Sequence, residues 1–398
     1  MRARPVTARL AAMKPEHLAA ILASAERGEI QQWADLCDRM VQIDGHVRAN
    51  YETRLATVAG ARWEMLEGRT GDPARDAWAL PARDFCENVL RSTPAFEPAV
   101  MDLLDGIGVG LGVVEVDWAW QSNAWVPIDL RWVHQRRFRW GEQWELRLLE
   151  TGYGGSCGGR GKPVSEWPRK FIVHTPRARS GTPGVSGCLR PVAWDFLFKR
   201  WAKQFWVQGA ERFAWPFMYG EVPRNAPLEV REKMKKALEE ISADHSAVLE
   251  AGDAIKILES AIKDGGTWKD LVEALNGDIS KSILGSVDQT EPTKVGAWKA
   301  VESRKGTTVD SRTAIDERQL SSTLESTLVT WLCEFNTHRF GGVLPAIPKP
   351  RWVVAEKRRE IPEHLAEARV VTRNELRASI GLDPMPGPIG EELVGEAD

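Results

Sequence analysis

The sequence is short of the features that usually carry chemistry. Its formal net charge is only -3, with 53 basic against 56 acidic residues in 398. A chain so balanced does not coat itself in nucleic acid by bulk attraction, so contact with a polyanion must be local, or sliding rather than tight. Cysteine is sparse: Cys37, Cys86, Cys157, Cys188 and Cys333 are odd in number, scattered, and form no C-x-x-C pair. That usage points to reduced thiols in a cytoplasm-like compartment. No window approaches the roughly eighteen uninterrupted apolar residues of a membrane span. Pro5, Arg9, Lys14 and Glu16 break any run that could serve as a signal peptide. The expectation is a chain with no membrane partner.

Catalytic signatures fail one by one. GIGVGLG has the flavour of a dinucleotide fingerprint, but Leu111 or Val113 stands where the third glycine belongs, and the run leads into a strand rather than a helix. GGRGKP is no phosphate loop, since Ser156 replaces the first glycine and Pro163 follows Lys162. The seven histidines fall in no H-x-x-x-H spacing, and GVSGC puts Cys188 where a nucleophile elbow needs glycine. Glu115 and Asp117 share one strand face, a spacing a metal-dependent nuclease could use, yet no further ligand is identifiable beside them. The expectation is no catalytic residue, no metal and no cofactor. The alternative is a DNA-processing nuclease built on Glu115 and Asp117.

What the chain does have is helices, strands and eighteen tryptophans. Residues 15–58 read as helices, ARWEMLEG as a strand, 74–90 and 96–107 as helices again. From Val113 the period changes to alternation, and VVEVDWAW, RWVHQRRFRW and QWELRLLE read as antiparallel strands. TGYGGSCGGRGKP reads as a glycine-rich loop and KFIVHT as a further strand. Then comes RPVAWDFLFKRWAKQFWVQGAERF, roughly 35 Å of helix at 1.5 Å per residue. Trp194, Phe198, Trp201 and Phe205 form its apolar stripe, and Lys199, Arg200 and Lys203 crowd the other side. Taken alone it is a core helix with a solvated basic face.

Beyond it, WPFMYGEVP, a surface helix at 227–242, and the strands SAVLE and AIKILE make an α/β insertion of about 50 residues. A second strong helix follows at 267–285. DQTEPTKV, with Pro292 inside it, reads as a mobile loop. A third helical region covers 297–336, loosened near Gly306, and RWVVAE reads as a strand before a short helical tail.

The order of long helix, small lobe, second helix, loop and third helix resembles that of a phage portal protein, and most closely the portal family of Mu-like phages. The residues that carry the resemblance are QIDGHVRANYETRLATVAGARWE, GVGLGVVEVDWAW, RRFRW, the stretch from KFIVHT to FMYGEVP, DISKSILG, and IDERQLSSTLESTLVTWLCEFN. The resemblance implies a mixed α+β portal-type fold. Its parts would be an N-terminal α/β wing at 1–188, a first stem helix at 189–216 and a small α/β clip at 217–266. A second stem helix at 267–286, a tunnel loop at 287–296, a wing helix with its return strand at 297–357 and a short helical tail or crown at 358–398 would complete it.

The same resemblance implies a homo-oligomeric ring, dodecameric in assembled virions, at one capsid vertex and assembled in the host cytoplasm. Double-stranded DNA would pass through it. Its partners would be the terminase large subunit, the head–tail adaptor, and the major capsid and scaffold proteins, with ATP hydrolysis left to the terminase. Asp288, Gln289, Thr290, Glu291 and Lys294 would stand in the tunnel loop. Lys199, Arg200, Lys203 and Lys281 would be channel candidates on the stem, and Arg231, Lys235 and Glu239 partner-binding candidates on the clip. The loop departs from the family's Thr-rich pattern through Glu291, Pro292 and Lys294.

Overall fold

The computed structural model describes residues 13–151, 157–177, 181–214, 217–221, 226–244, 254–258, 266–285, 298–353 and 374. In chain order these hold α1 (Pro15–Glu26), α2 (Gln31–Ile43), α3 (Gly45–Ala59), β1 (Arg62–Leu66), α4 (Pro73–Asp76), α5 (Ala79–Ser92), α6 (Phe96–Leu104) and α7 (Gly106–Val109). Then come β2 (Gly112–Gln121), β3 (Ala124–Trp132), β4 (Phe138–Trp140), β5 (Leu146–Thr151), β6 (Cys157–Pro163) and β7 (Phe171–His174). They are followed by α8 (Leu189–Ala214), β8 (Phe217–Glu221), α9 (Leu228–Asp244), β9 (Ala254–Leu258), α10 (Gly266–Ile283), α11 (Trp298–Leu324), α12 (Thr330–Phe335) and β10 (Lys349–Val353). Chain contacts separate two units, one of residues 1–19 and 191–279, the other of 20–190 and 280–398. The expected strand 246–250, the loop 288–295 and the tail beyond 353, Asn374 excepted, lie outside the described residues.

The larger unit is built on antiparallel strands. One sheet has the order β3-β2-β7, a second β4-β5-β6, and β1 pairs with β10. The β1–β10 pair sets Trp63 opposite Trp352, both buried, tying residue 62 to residue 353 across most of the sequence. Asp44 starts α3 by accepting from the amides of His46 and Val47 at 3.0 and 3.1 Å, an N-cap that satisfies two orphan donors. Gly110 ends α7 in the left-handed region at φ +101, where a side chain would meet the Pro183 carbonyl at 2.5 Å. The core gathers Trp33, Phe96, Phe138, Phe340, Leu103 and Leu104, all fully buried.

Three expectations are corrected here. The segment TGYGGSCGGRGKP is not all loop: β6 pairs with β5 from Thr151↔Cys157 to Arg147↔Pro163, with a bulge between Leu148 and Glu150. Gly161 at φ +64 makes this possible, since a Cβ there would press on the Leu148 carbonyl at 2.6 Å. The helix expected over 74–90 is broken into α4 and α5. In the third helical region the chain stays helical through Gly306, and the irregularity comes instead as a π-turn at Glu325–Val329. Hydroxyls there compete for the helix's own carbonyls, Thr327 bonding to Thr323 O and Thr330 to Glu325 O at 2.6 Å each.

In the smaller unit, β8 and β9 form an antiparallel pair from Phe217↔Leu258 to Glu221↔Ala254, and α9 packs against β8 with Met234 buried. The helices α8 and α10 run antiparallel. Phe205 meets Trp268 at 6.2 Å between ring centres, and ten residues earlier on α8 Asp195 is raised in part by Asp278, ten residues later on α10.

Candidate functional site

The last turn of α10 ends just before the residues expected to form the channel loop. A helix C-terminus leaves carbonyls without partners, and here two arginines from distant parts of the chain supply them. Arg54 on α3 donates Nη1 to Ile283 O at 2.8 Å, and Arg312 on α11 donates to Ser282 O and Ile283 O at 2.8 and 3.1 Å. Gly285, at φ +89, closes the helix by donating its amide to Lys281 O at 3.0 Å. Cations here also suit the negative end of the helix dipole.

Arg54 is held from its other side by Asp316. The guanidinium bonds both carboxylate oxygens, Nε at 2.8 Å and Nη2 at 2.9 Å, and the two side chains are only 6% and 5% exposed. Burial, the largest single influence, works against the charge on Arg54, but the hydrogen bonding to Asp316 and the surrounding charge interactions together outweigh it and lift Arg54 above its ordinary value. Burial and the nearby Arg54 charge lower Arg312. Together, α3, α10's last turn and α11 meet at one buried ionic clamp. Nothing local in the sequence announces it, since Arg54 and Asp316 are separated by 262 positions and each sits among ordinary helical polar residues.

Helix α8 presents its faces the other way round from the sequence expectation. Val192, Ala193, Phe196 and Leu197 are buried, and so is Lys199 at 1% exposure. The aromatic stripe lies on the opposite side of the helix and stays partly open, with Phe198 42% and Phe205 51% exposed and Trp194 and Trp201 half-buried. The stripe is ordered by its own contacts, Trp194 stacking on Phe198 at 6.1 Å and Phe198 meeting Trp201 edge-on at 6.2 Å. The reason for the reversal is that α8 carries two apolar stripes, and the aliphatic one, not the larger aromatic one, is covered within the chain.

The other stem candidates separate. Arg200 is half-buried with its guanidinium 5.7 Å from the Phe196 ring centre, whereas Lys203 and Lys281 are exposed. Lys199 is enclosed and cannot present its charge to a bore from this chain. On α9, Arg231 and Lys235 are exposed, while the side chain of Glu239 lies outside the described residues, as do Asp288, Gln289, Thr290, Glu291 and Lys294.

Glu115 and Asp117 do share a face of β2, but they are occupied by cations. Lys170 Nζ stands 2.8 Å from Glu115 and 3.6 Å from Asp117, and Arg131 reaches Asp117 at 2.5 Å. Among the described residues no three His, Cys, Asp or Glu side chains are grouped as metal ligands, and no helix is long and apolar enough to cross a membrane.

The family model for the portal protein of Mu bacteriophage matches residues 34–378, nearly the whole of this architecture. The chain belongs to the Mu portal family. The portal protein of Escherichia phage Mu is 25% identical over 327 residues, 81% of this chain and 61% of that protein. The Mu-like prophage FluMu protein gp29 of Haemophilus influenzae is 22% identical over 363 residues, 86% of this chain and 64% of that one. The chain thus spans rather less than two thirds of the length of these curated relatives. Among solved structures, a chain from the neck of a native GTA particle computed with C12 symmetry superposes with a TM-score of 0.53 at 14% identity, covering 94% of this chain and 96% of its own. A chain from the virion of a native gene transfer agent particle gives 0.50 at 14% identity, covering 93% and 95%. These likenesses establish the fold, a mixed α+β portal-type fold. The family is one of structural phage proteins, and nothing in it supports the nuclease reading.

Proposed function

We propose that this chain assembles into a portal ring at one vertex of a phage capsid, through which double-stranded DNA is packaged and later ejected. The family match over residues 34–378 carries the reading. The open aromatic stripe of α8 supports it, because a row of exposed large rings on one helix marks a surface meant for another chain. In a ring each subunit uses two different faces, so such a stripe meets a different surface on its neighbour. Twelve subunits is the number we favour, since a chain of the same fold occurs in a neck computed with C12 symmetry. The near-neutral charge suits a channel that must let DNA slide.

In this reading α8 and α10 are the stem, residues 217–266 the clip and 287–296 the tunnel loop. The terminase large subunit and head–tail adaptor dock on the clip, where Arg231 and Lys235 are exposed, and capsid and scaffold proteins surround the wing. Lys203, Lys281 and the loop residues Gln289 and Lys294 face the passing DNA. The test is microscopy of the purified protein with its mass from light scattering. Rings with a channel wide enough for duplex DNA are expected, and a monodisperse monomer at high concentration would sink the proposal. Deleting residues 289–293 should leave rings intact while packaging or retention of DNA falls; unchanged packaging removes the loop from the mechanism.

A further inference from the structure

Two of the sparse cysteines meet in the core. Cys86 on α5 and Cys333 on α12 are fully buried free thiols, and their sulfurs stand 3.6 Å apart although 247 positions separate them. Cys86 belongs to the inward row Ala79, Ala82, Cys86 and Leu90 of α5, and α5 packs on α12. Rings fix the contact close by: Phe340 meets Phe85 at 5.9 Å and Trp78 at 6.4 Å between ring centres, while the Arg339 guanidinium lies 4.9 Å over Phe85. A buried thiol is ordinarily a small apolar filler, but two in contact are also the halves of a disulfide. The sulfurs would have to close by roughly 1.5 Å to bond. A turn of about 30° at each χ1 bond, directed at the partner, covers that without moving a helix. Every element from α6 to α11 lies between the two cysteines in sequence, so a bond here would close most of the chain into one loop.

We propose that Cys86 and Cys333 form an oxidative modification site, which hydrogen peroxide converts to a disulfide that locks α5 to α12 when the protein passes from reducing to oxidising surroundings. One sulfur, as thiolate, attacks a peroxide oxygen. The O–O bond breaks, and the departing hydroxide takes up that thiol's proton as water. The other sulfur then attacks the sulfenic acid so formed: the S–S bond forms, the S–O bond breaks, and the second hydroxide leaves as water with the second thiol's proton. Two thiols and one peroxide thus give one disulfide and two waters, the sulfurs supplying the two electrons that reduce the peroxide. The Cys333 thiol beside it, and then burial, hold Cys86 well above its ordinary value, so thiolate is scarce at neutral pH and the first step is slow. The second step is fast by comparison, because the partner sulfur is already in place. Closing so long a loop stabilises the subunit by restricting its unfolded chain. Both cysteines belong to the larger unit, and the site does not depend on the ring reading.

The experiment exposes the full chain to hydrogen peroxide at neutral pH, unfolds it with an alkylating agent present, and maps it by mass spectrometry without reduction. Trypsin leaves Cys86 in peptide 84–91 and Cys333 in peptide 319–339, each with one cysteine. The two peptides are expected joined, and expected to separate in dithiothreitol. The oxidised chain should melt about 3 °C or more higher than the reduced one and lose that gain in dithiothreitol. Cys333→Ala should show neither the link nor the gain, while the parent before and after oxidation gives the result without any variant having to fold. Both thiols still open to alkylation, after an exposure that oxidises free cysteine completely, would reduce the pair to core filler and overturn the proposal. Joining of either cysteine to Cys37, Cys157 or Cys188 instead would overturn it too, as would a link that leaves the melting temperature unchanged or lowers it.

Discussion

Two regions of this chain reverse the usual placement of charge and grease. At the end of α10 a carboxylate and a guanidinium are buried to about 5% exposure, and on α8 phenylalanine rings stand half in water. The difference lies in who satisfies the surface. The ionic clamp is completed by the chain's own α3 and α11, with each guanidinium nitrogen of Arg54 donating to an oxygen, so it belongs to the folded subunit. Among the described residues the rings of the aromatic stripe meet those of their own helix and Trp268, and in the proposed ring its burial is left to assembly. A buried ion pair adds little net stability but fixes geometry, while an exposed apolar row adds none until something covers it.

The comparison is broken most forcefully at Arg54. Arg54→Met strands Asp316 and leaves the Ile283 carbonyl to Arg312 alone, and removing one member of a buried pair costs about 3–5 kcal/mol. Denaturant unfolding of the dilute subunit should show that loss, and Arg54→Met with Asp316→Leu should recover a good part of it. A single variant as stable as the parent would mean that the clamp holds nothing. Acid should attack the same unit next. His174, on β7 with Nδ1 2.8 Å from Thr323 Oγ1 and Nε2 without a partner among the described residues, is lowered by burial to about 4 from its ordinary 6.5. As pH falls below about 6.5 the unfolded chain takes up the proton first, so stability declines from there until about pH 4. The span corresponds to about 3 kcal/mol, and His174→Gln should flatten it in unfolding curves taken from pH 7 to 4. An unaltered slope would place the acid sensitivity elsewhere.

How far the sequence discloses these regions differs in the same way. Helix α8 is legible almost to the residue, expected over 190–213 and found at Leu189–Ala214, because apolar spacing reports the element. Which face it buries is not legible, because Val192, Phe196 and Leu197 compete with Trp194, Phe198 and Trp201, and only the packed chain decides between them. The strand β6 is hidden for another reason: CGGRGKP has no alternation, and its pairing is imposed by β5 and by a glycine that tolerates φ +64. The clamp is the least legible, since a buried pair 262 residues apart leaves each member looking like a solvated helix charge. Resemblance in the order of elements, rather than any motif, is what reached the family.

The stripe is sharpened at Phe205. Phe205→Asp should cost the isolated subunit about 1 kcal/mol or less, the worth of one aromatic pair with Trp268. Ring assembly should nonetheless need at least about tenfold more protein, which is about 1.4 kcal/mol per interface. Mass photometry across a concentration series reads this directly, and unchanged assembly would show that the stripe faces something other than a second copy.

The smallest effect lies on the same helix. Burial, and then the Asp278 carboxylate, push Asp195 up to about 6 from 3.8. A carboxylate raised on folding penalises the native state fully above about pH 6, and the penalty fades as pH falls toward 3.8. Asp195→Asn should therefore stabilise the subunit at pH 8 and leave it unchanged at pH 4. Solvent screening at this half-exposed position holds the gain below about 1 kcal/mol. A gain that persists at pH 4 would mean that ionisation of Asp195 is not what the folded chain opposes.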